Sequence, residues 1–254
     1  MRYALKVAYD GSSYSGWQIQ NNAVTVQQTL CDAAREAFKR EVKITASGRT
    51  DAGVHAAGQV CHLDADLIMP CKRVADAINA HLPDDIKVTA SAAAPEGFDA
   101  NRSAKRKTYE YRLYFSQRRN PLLDRYACFV KGVPCVEKMR EAAALFVGEH
   151  DFKAYCASGS QVLTTVRTVY SADIRQSEEY GCKKIAVSVC GNGFLYNMVR
   201  TIVGTVLYYS VGRLTLEDIR RSLEERDRAR AGKTMPPNGL ILMDVDYGIS
   251  LFGE

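Results

Sequence analysis

Several things are scarce in this 254-residue chain: it has seven prolines, one tryptophan and four histidines, and no long uninterrupted apolar run. With 46% hydrophobic and 25% charged residues, so little proline excludes a disordered or fibrous chain. The most apolar stretch, Met198 to Val211, is broken by Arg200, Thr201 and Gly204 and falls short of the ~20 residues a membrane-spanning helix needs. The first residues, Met1 to Lys6, lack the continuous apolar region of a signal peptide, because Lys6 and Asp10 interrupt it. Eight cysteines contain no C-x-x-C pair, and only Cys61-His62 sets a cysteine beside a histidine. Reduced thiols in a cytoplasm are therefore expected, with no disulfide frame and no metal site.

What is present is a strand and helix alternation. Arg2 to Tyr9 alternates, with Tyr3, Leu5, Val7 and Tyr9 on one face, and ends at the turn signal Asp10-Gly11. Thr25 is placed to cap a helix whose apolar stripe is Val26, Leu30, Ala33, Ala37 and Phe38, with Gln28 reaching back. Strands are expected over Val42 to Ala46 and Gly58 to Asp64, a helix over Lys72 to Leu82, and a strand from Ile86 to Ala92. Further on, helices are expected over Val136 to Val147, Tyr196 to Tyr209 and Leu216 to Glu224. Thr165 to Arg175 and Lys183 to Cys190 read as strands joined across Gly181, and Leu240 to Val245 as a last strand.

Between the second and third strands lies Ser47-Gly48-Arg49-Thr50-Asp51-Ala52-Gly53-Val54-His55, which reads as an exposed loop presenting a cation and a carboxylate two residues apart. Gly48 and Gly53 have the G-x-x-x-x-G spacing of a phosphate loop, but Val54 and His55 stand where Lys and Ser or Thr are required, and Asp51 would repel phosphate. Short polar side chains in glycine-framed turns are most often structural, so on local pattern alone Asp51 reads first as a turn cap and second as a catalytic carboxylate.

The charge balance, 34 basic against 29 acidic residues with a pI near 8.7, permits nucleic-acid binding without demanding it. Its distribution says more. Asn101 to Arg125 holds eight Lys and Arg against only Glu110 and Asp124, with Tyr109, Tyr111 and Phe115 alternating through it. Such a run is either a solvated basic face or a surface for RNA, where cations meet phosphates and rings stack on bases. A strand tyrosine is more often core than catalyst. Arg200 in an apolar helix either snorkels to water or pairs with a carboxylate.

The blocks Gly48-Arg49-Thr50-Asp51-Ala52-Gly53-Val54-His55-Ala56 and Gly58-Gln59-Val60 resemble the signature of the tRNA pseudouridine synthase A family. So do Tyr9-Asp10-Gly11, Gly16-Trp17-Gln18, Thr25-Val26-Gln27, Tyr109-Glu110-Tyr111, Gly148 to Phe152, Asn197-Met198-Val199-Arg200 with Val203-Gly204, and Pro236 to Leu240. They follow one another in the family's order through nearly the whole chain.

The resemblance implies an α+β fold. Two α/β lobes, residues 1–100 with the catalytic loop and 101–254, would share a mixed, largely antiparallel sheet, continuous across both, with helices on one side and a central RNA-binding cleft. It implies a cofactor-independent homodimeric isomerase that converts uridines 38 to 40 of the tRNA anticodon stem-loop to pseudouridine. Asp51 would be the catalytic carboxylate, Arg200 its ion-pair partner, and Arg49 the residue that takes part in base flipping. Tyr109 would stack on the uracil and take the C5 proton, and Leu240 would form the floor under the base.

Arg106 and Lys107 are candidates for phosphate contacts. The family usually has Arg at the position of Asn101, whereas here Arg102 stands one place along. His55 and Asp151 are signature residues whose polar groups could tie loops together or touch substrate. A catalytically inactive tRNA-binding protein of the same fold is the alternative, and the joint presence of Asp51, Tyr109 and Arg200 argues against it. The H-x-E and P-C-x-x-C signatures of zinc-dependent base deaminases are absent.

Overall fold

A computed structural model describes residues 1–157, 159 and 162–253. The chain forms two compact units, Met1–Lys107 together with residues from Ile241 onward, and Thr108–Leu240. Ten strands and five α-helices are present among the described residues, and both antiparallel and parallel strand pairs occur.

In the first unit the strand order is β4 (Ile86–Ala93), β1 (Arg2–Tyr9), β3 (His55–Asp64) and β10 (Leu240–Asp246), with β2 (Ile44–Ala46) also on β3. The alternation of β1 acts as expected: Tyr3, Leu5, Val7 and Tyr9 are buried, and β1 pairs antiparallel with both β3 and β4. β10 runs parallel to the start of β3, Ile241 opposite His55. β3 begins at His55, three residues before the strand expected from Gly58, because pairing to β10 and to Tyr9 extends it to the end of the loop.

Helix α1 (Val26–Phe38) starts at the expected cap, the Thr25 hydroxyl accepting from the Gln28 amide. Gln27 is the glutamine that reaches out, its side chain donating to Ile44 O and accepting from Ile19 N. Ala34 is fully buried where Ala37 was expected to be, a rotation of the stripe by one small residue. Helix α2 (Arg73–Asn79) is shorter than its periodic pattern. It is tied to β4 by Asn79, whose amide exchanges two 2.8 Å hydrogen bonds with the Val88 backbone.

In the second unit the order is β5 (Arg106–Phe115, entering from the first unit), β9 (Cys182–Gly191), β8 (Val166–Glu179) and β7 (Gly148–Asp151). β6 (Cys128–Val130) runs parallel to β5. The β8–β9 hairpin turns through Tyr180 and Gly181, both with positive φ, and such a two-residue turn matches the natural twist of the strands it joins. Helices α3 (Val136–Ala144), α4 (Met198–Ser210) and α5 (Leu216–Glu224) complete the unit.

α5 has a full capping box: Thr215 Oγ1 accepts from Asp218 N while Asp218 Oδ2 accepts from Thr215 N. A cap of this kind stabilises a helix by about 1 kcal/mol. The short strands β6 and β7 escaped the sequence reading, since three or four residues are too few to display a period. No helix among the described residues is long and apolar enough to cross a membrane.

Candidate active site

The signature loop is less exposed than its composition suggests. Arg49 and Ala52 face solvent and Asp51 is half-buried, whereas Ser47, Thr50 and Val54 are buried and act as anchors. Ser47 N donates to Val60 O at 2.7 Å and its hydroxyl to Gln59 Oε1 at 2.7 Å; Gln59 Nε2 then donates to Gly48 O. Thr50 is gripped twice, its carbonyl accepting from Trp17 N at 3.0 Å and its hydroxyl bonded to Tyr9 Oη at 2.8 Å. Burial holds the Tyr9 phenol well above its ordinary pKa, against the smaller opposing effect of its bonds to Thr50 and Gln59, so it stays neutral and keeps its proton for hydrogen bonding.

Two close approaches explain why glycines surround this loop. A Cβ at Gly16, which has φ +89°, would lie 2.7 Å from Thr50 O, and one at Gly11 would lie 2.0 Å from Val54 O. Gly53 adopts φ +76°, as expected of the closing glycine, but Gly48 has no positive φ. The space Gly48 leaves open is taken by Lys107, whose Nζ would be 3.0 Å from a Cβ there.

Lys107 Nζ donates to Ser47 O, and Asn101 Nδ2 donates to the same oxygen at 2.6 Å. Both residues therefore anchor the loop's first turn. That finding gives Asn101 a role of its own where the family usually has Arg. Arg106, at the start of β5, is exposed.

His55 and Asp151 hold loops in place. The buried His55 ring accepts from Gly11 N through Nδ1 at 3.1 Å, with Asp10 Oδ1 also 3.1 Å away. Asp151 accepts from Lys153 N and from Thr165 Oγ1, and pairs with Arg226 at 2.8 Å.

In the second unit, Tyr109 is buried at the start of an alternation in which Tyr111, Leu113 and Phe115 share its burial. Its ring meets Phe194 edge-on, with centroids 5.3 Å apart. Tyr111 is core: its phenol donates to Pro236 O at 2.7 Å, and burial raises its pKa far beyond the ordinary range. Gly239 packs so closely on that ring that a Cβ would lie 2.8 Å from it, and the chain passes directly into the buried Leu240. Asn238 fixes this bend by donating to Asp124 O at 2.7 Å and Ala127 O at 3.1 Å.

Arg200 stands in the first turn of α4, half-buried. Its Nε donates to Met235 O at 2.7 Å and its Nη1 to Asn197 Oδ1 at 2.6 Å. The segment that supplies Met235 lies directly on the helix. A Cβ at Gly204 would be 1.8 Å from Lys233 O, and one at Gly232 would be 2.5 Å from Gly204 O. Gly232 N donates to Thr205 Oγ1 at 2.8 Å, Thr201 and Thr234 hydroxyls meet at 3.0 Å, and Met235 N returns to Arg200 O. In the sequence Gly204 stands out only as part of a signature block and as a break in an apolar run, and Gly232 not at all, because glycines 28 positions apart carry no mark of contact.

Of the eight cations in the Asn101–Arg125 run, several have internal duties. Arg112 pairs with Glu110 at 2.7 Å, and Arg119 pairs with Asp124 at 3.1 Å while lying over the Phe129 ring. Among the described residues no group of three His, Cys, Asp or Glu could hold a metal ion.

A family model described as tRNA pseudouridine synthase matches residues 6–101 and 142–248. The protein from Ruminiclostridium cellulolyticum named tRNA pseudouridine synthase A is 43% identical over 243 residues, 96% of this chain and 98% of its own. The protein of that name from Caldicellulosiruptor bescii is 42% identical over 243 residues, again 96% and 98%. That from Shouchella clausii is 41% identical over 252 residues, 99% of this chain and 95% of its own. With matches of this extent, and with the signature loop, the Tyr109 strand and the Arg200 helix each built as described, the chain belongs to the tRNA pseudouridine synthase family.

Proposed function

We propose that this chain is an isomerase that converts uridine to pseudouridine in tRNA, at positions 38 to 40 of the anticodon stem-loop, working without a cofactor as a cytoplasmic homodimer. The observation that carries the reading is the signature loop. Thr50 is clamped on both sides, which leaves Asp51 half-buried on a fixed backbone and Arg49 in solvent.

The reaction cleaves the bond between ribose C1′ and uracil N1, turns the base and rejoins it through C5. Positive charge develops at C1′ as in glycoside hydrolysis, where a carboxylate stabilises or attacks that carbon. Asp51 is the group assigned to it, whether by adding to C1′ or by first removing a ribose proton. Arg200 is the cation that keeps this carboxylate ionised once water is excluded, since an isolated charge there would be costly.

A uridine within a stem must leave the stack first, at a cost of a few kcal/mol, and Arg49 has the exposure needed to fill the space it vacates. Tyr109 stacks on the extruded uracil and takes the C5 proton, and Leu240 supplies the apolar floor. Arg106 contacts phosphate, while Lys107 contributes mainly by holding the loop through Ser47 O.

Release of tritium from tRNA labelled at uracil C5 tests the reading, because only formation of the new C5 bond exchanges that hydrogen. Tight tRNA binding without release would favour an inactive binding protein. A sedimentation mass near the 28.2 kDa of one chain for the free protein, and a complex with tRNA that holds a single chain, would count against the homodimer.

A further inference from the structure

Asn197 begins α4, and its backbone breaks the ordinary rule for a helix start. The residue before a helix normally has extended φ/ψ, and an Asn there accepts a hydrogen bond from the amide two or three residues on. Asn197 instead has φ 64° and ψ 5°, and its side chain caps no backbone amide. The third residue into the helix, whose amide it would cap, is Arg200. The Asn197 side chain bonds the Arg200 guanidinium instead, Oδ1 accepting from Nη1 at 2.6 Å.

Three features of this turn point the same way. α4 has no acidic residue in its first turn, so the helix's own first turn does nothing to offset a cation placed at the positive end of its dipole. The other non-glycine residues with positive φ are Lys39, Tyr180 and Arg226; Lys39 ends a helix, Tyr180 sits in a hairpin turn and Arg226 follows α5, so Asn197 alone among the described residues opens a helix this way. The second hold on Arg200, from Nε to Met235 O, depends on a backbone segment packed against α4 through Gly204 and Gly232. Asn197 and Met235 thus grip two nitrogens of one planar group. They fix both its place and its plane.

We propose that Asn197 is a positioning residue for the isomerisation, acting through Arg200. Its left-handed backbone and its unused cap are accepted in exchange for an oriented guanidinium. Local rules are typically broken in this way where a site must be held in one geometry. The proposal rests on the assignment of Arg200 to catalysis.

The discriminating variants are Asn197→Gly, which adopts the same φ freely but removes Oδ1, and Asn197→Asp, which keeps an acceptor and tolerates the left-handed conformation. Turnover by tritium release should fall about 10- to 100-fold in N197G, with KM and tRNA affinity little changed, as expected when a reacting group is misplaced by an ångström or less. N197D should recover most of it.

In the Arg200→Met background, N197G should add nothing, because its effect passes through the missing guanidinium. Wild-type turnover in N197G beside a crippled R200M would overturn the role of Asn197 and leave Arg200 in place. Full turnover in R200M would overturn the assignment of Arg200 and the proposal with it. Additive losses in the double variant, or a loss in N197G that N197D does not repair, would make Asn197 a merely structural residue.

Discussion

The loop that carries Asp51 and the helix start that carries Arg200 reach rigidity by different means. Around Asp51, side chains do the holding: Tyr9, Asn101 and Lys107 bond the loop at Thr50 and Ser47, and glycines at 11 and 16 let the turn come close. Around Arg200, backbone meets backbone through Gly204 and Gly232, and hydroxyls of Thr201, Thr205 and Thr234 close the seam. The first arrangement is a network in which single bonds can be removed one at a time. The second is a packed contact that either fits or does not. Chemistry and stability should therefore separate between the two regions under mutation.

The largest effect is expected from Asp51→Asn, which keeps size and one acceptor oxygen but removes the charge that the proposed reaction places beside C1′. Loss of an oriented group that stabilises developing charge costs on the order of 10³-fold or more, so tritium release should disappear while tRNA binding persists. Retained turnover would remove Asp51 from the mechanism. Arg200→Met comes next. With the cation gone, a proton competes for the carboxylate at neutral pH, and turnover should fall about 10²-fold. Raising the pH removes that proton, so activity should climb up to about tenfold per unit over the titrating range. D51N has no carboxylate to deprotonate and should stay flat. A flat profile for R200M as well would discard the ion pair.

The blocks that contain Asp51 and Arg200 were legible in the sequence through a motif, whereas the contacts that hold those blocks in place were not. Asp51 and Arg49 stand between glycines in a loop, a pattern that a reader notices. Tyr9 and Trp17 belong to blocks far up the chain, and nothing in their spacing shows that they close on Thr50. Lys107 looked like part of a basic surface because charge was visible and its bond to Ser47 O was not. The long strands and helices were readable from periodicity, since eight or more residues display a period. β6 and β7 were missed for the opposite reason, and β3 began early because its partners, not its own residues, set its end.

Gly204→Ala tests the packed contact. The added Cβ would fall 1.8 Å from Lys233 O, a backbone atom that cannot swing away, so the 232–235 segment must lift off α4. Overpacking of this severity costs about 3 kcal/mol, and Tm should drop by roughly 6 to 12 °C for a chain of this size. Gly193→Ala is the control, since its nearest neighbour is the Arg167 side chain at 3.7 Å and it should be close to neutral. Equal melting temperatures for G204A and G193A would mean that the seam is not what fixes Arg200.

The smallest effect sharpens the contrast on the side of binding. Arg106 is exposed at the start of β5, whereas Lys107 beside it is half-buried and bonded to the loop, so neighbouring cations should fail differently. If Arg106 meets phosphate, Arg106→Ala should weaken every tRNA alike, by about three- to tenfold at low salt. It should also lower the slope of log affinity against log salt by roughly one, because one fewer counterion is released. Lys107→Ala should leave that slope nearer its original value and act on turnover instead, since it loosens the turn that presents Asp51. Binding isotherms for two unrelated tRNAs across a salt series, with tritium release measured alongside, separate the two cases. A slope unchanged in R106A but reduced in K107A would reverse the assignment: Lys107 would be the phosphate contact and its bond to Ser47 O incidental.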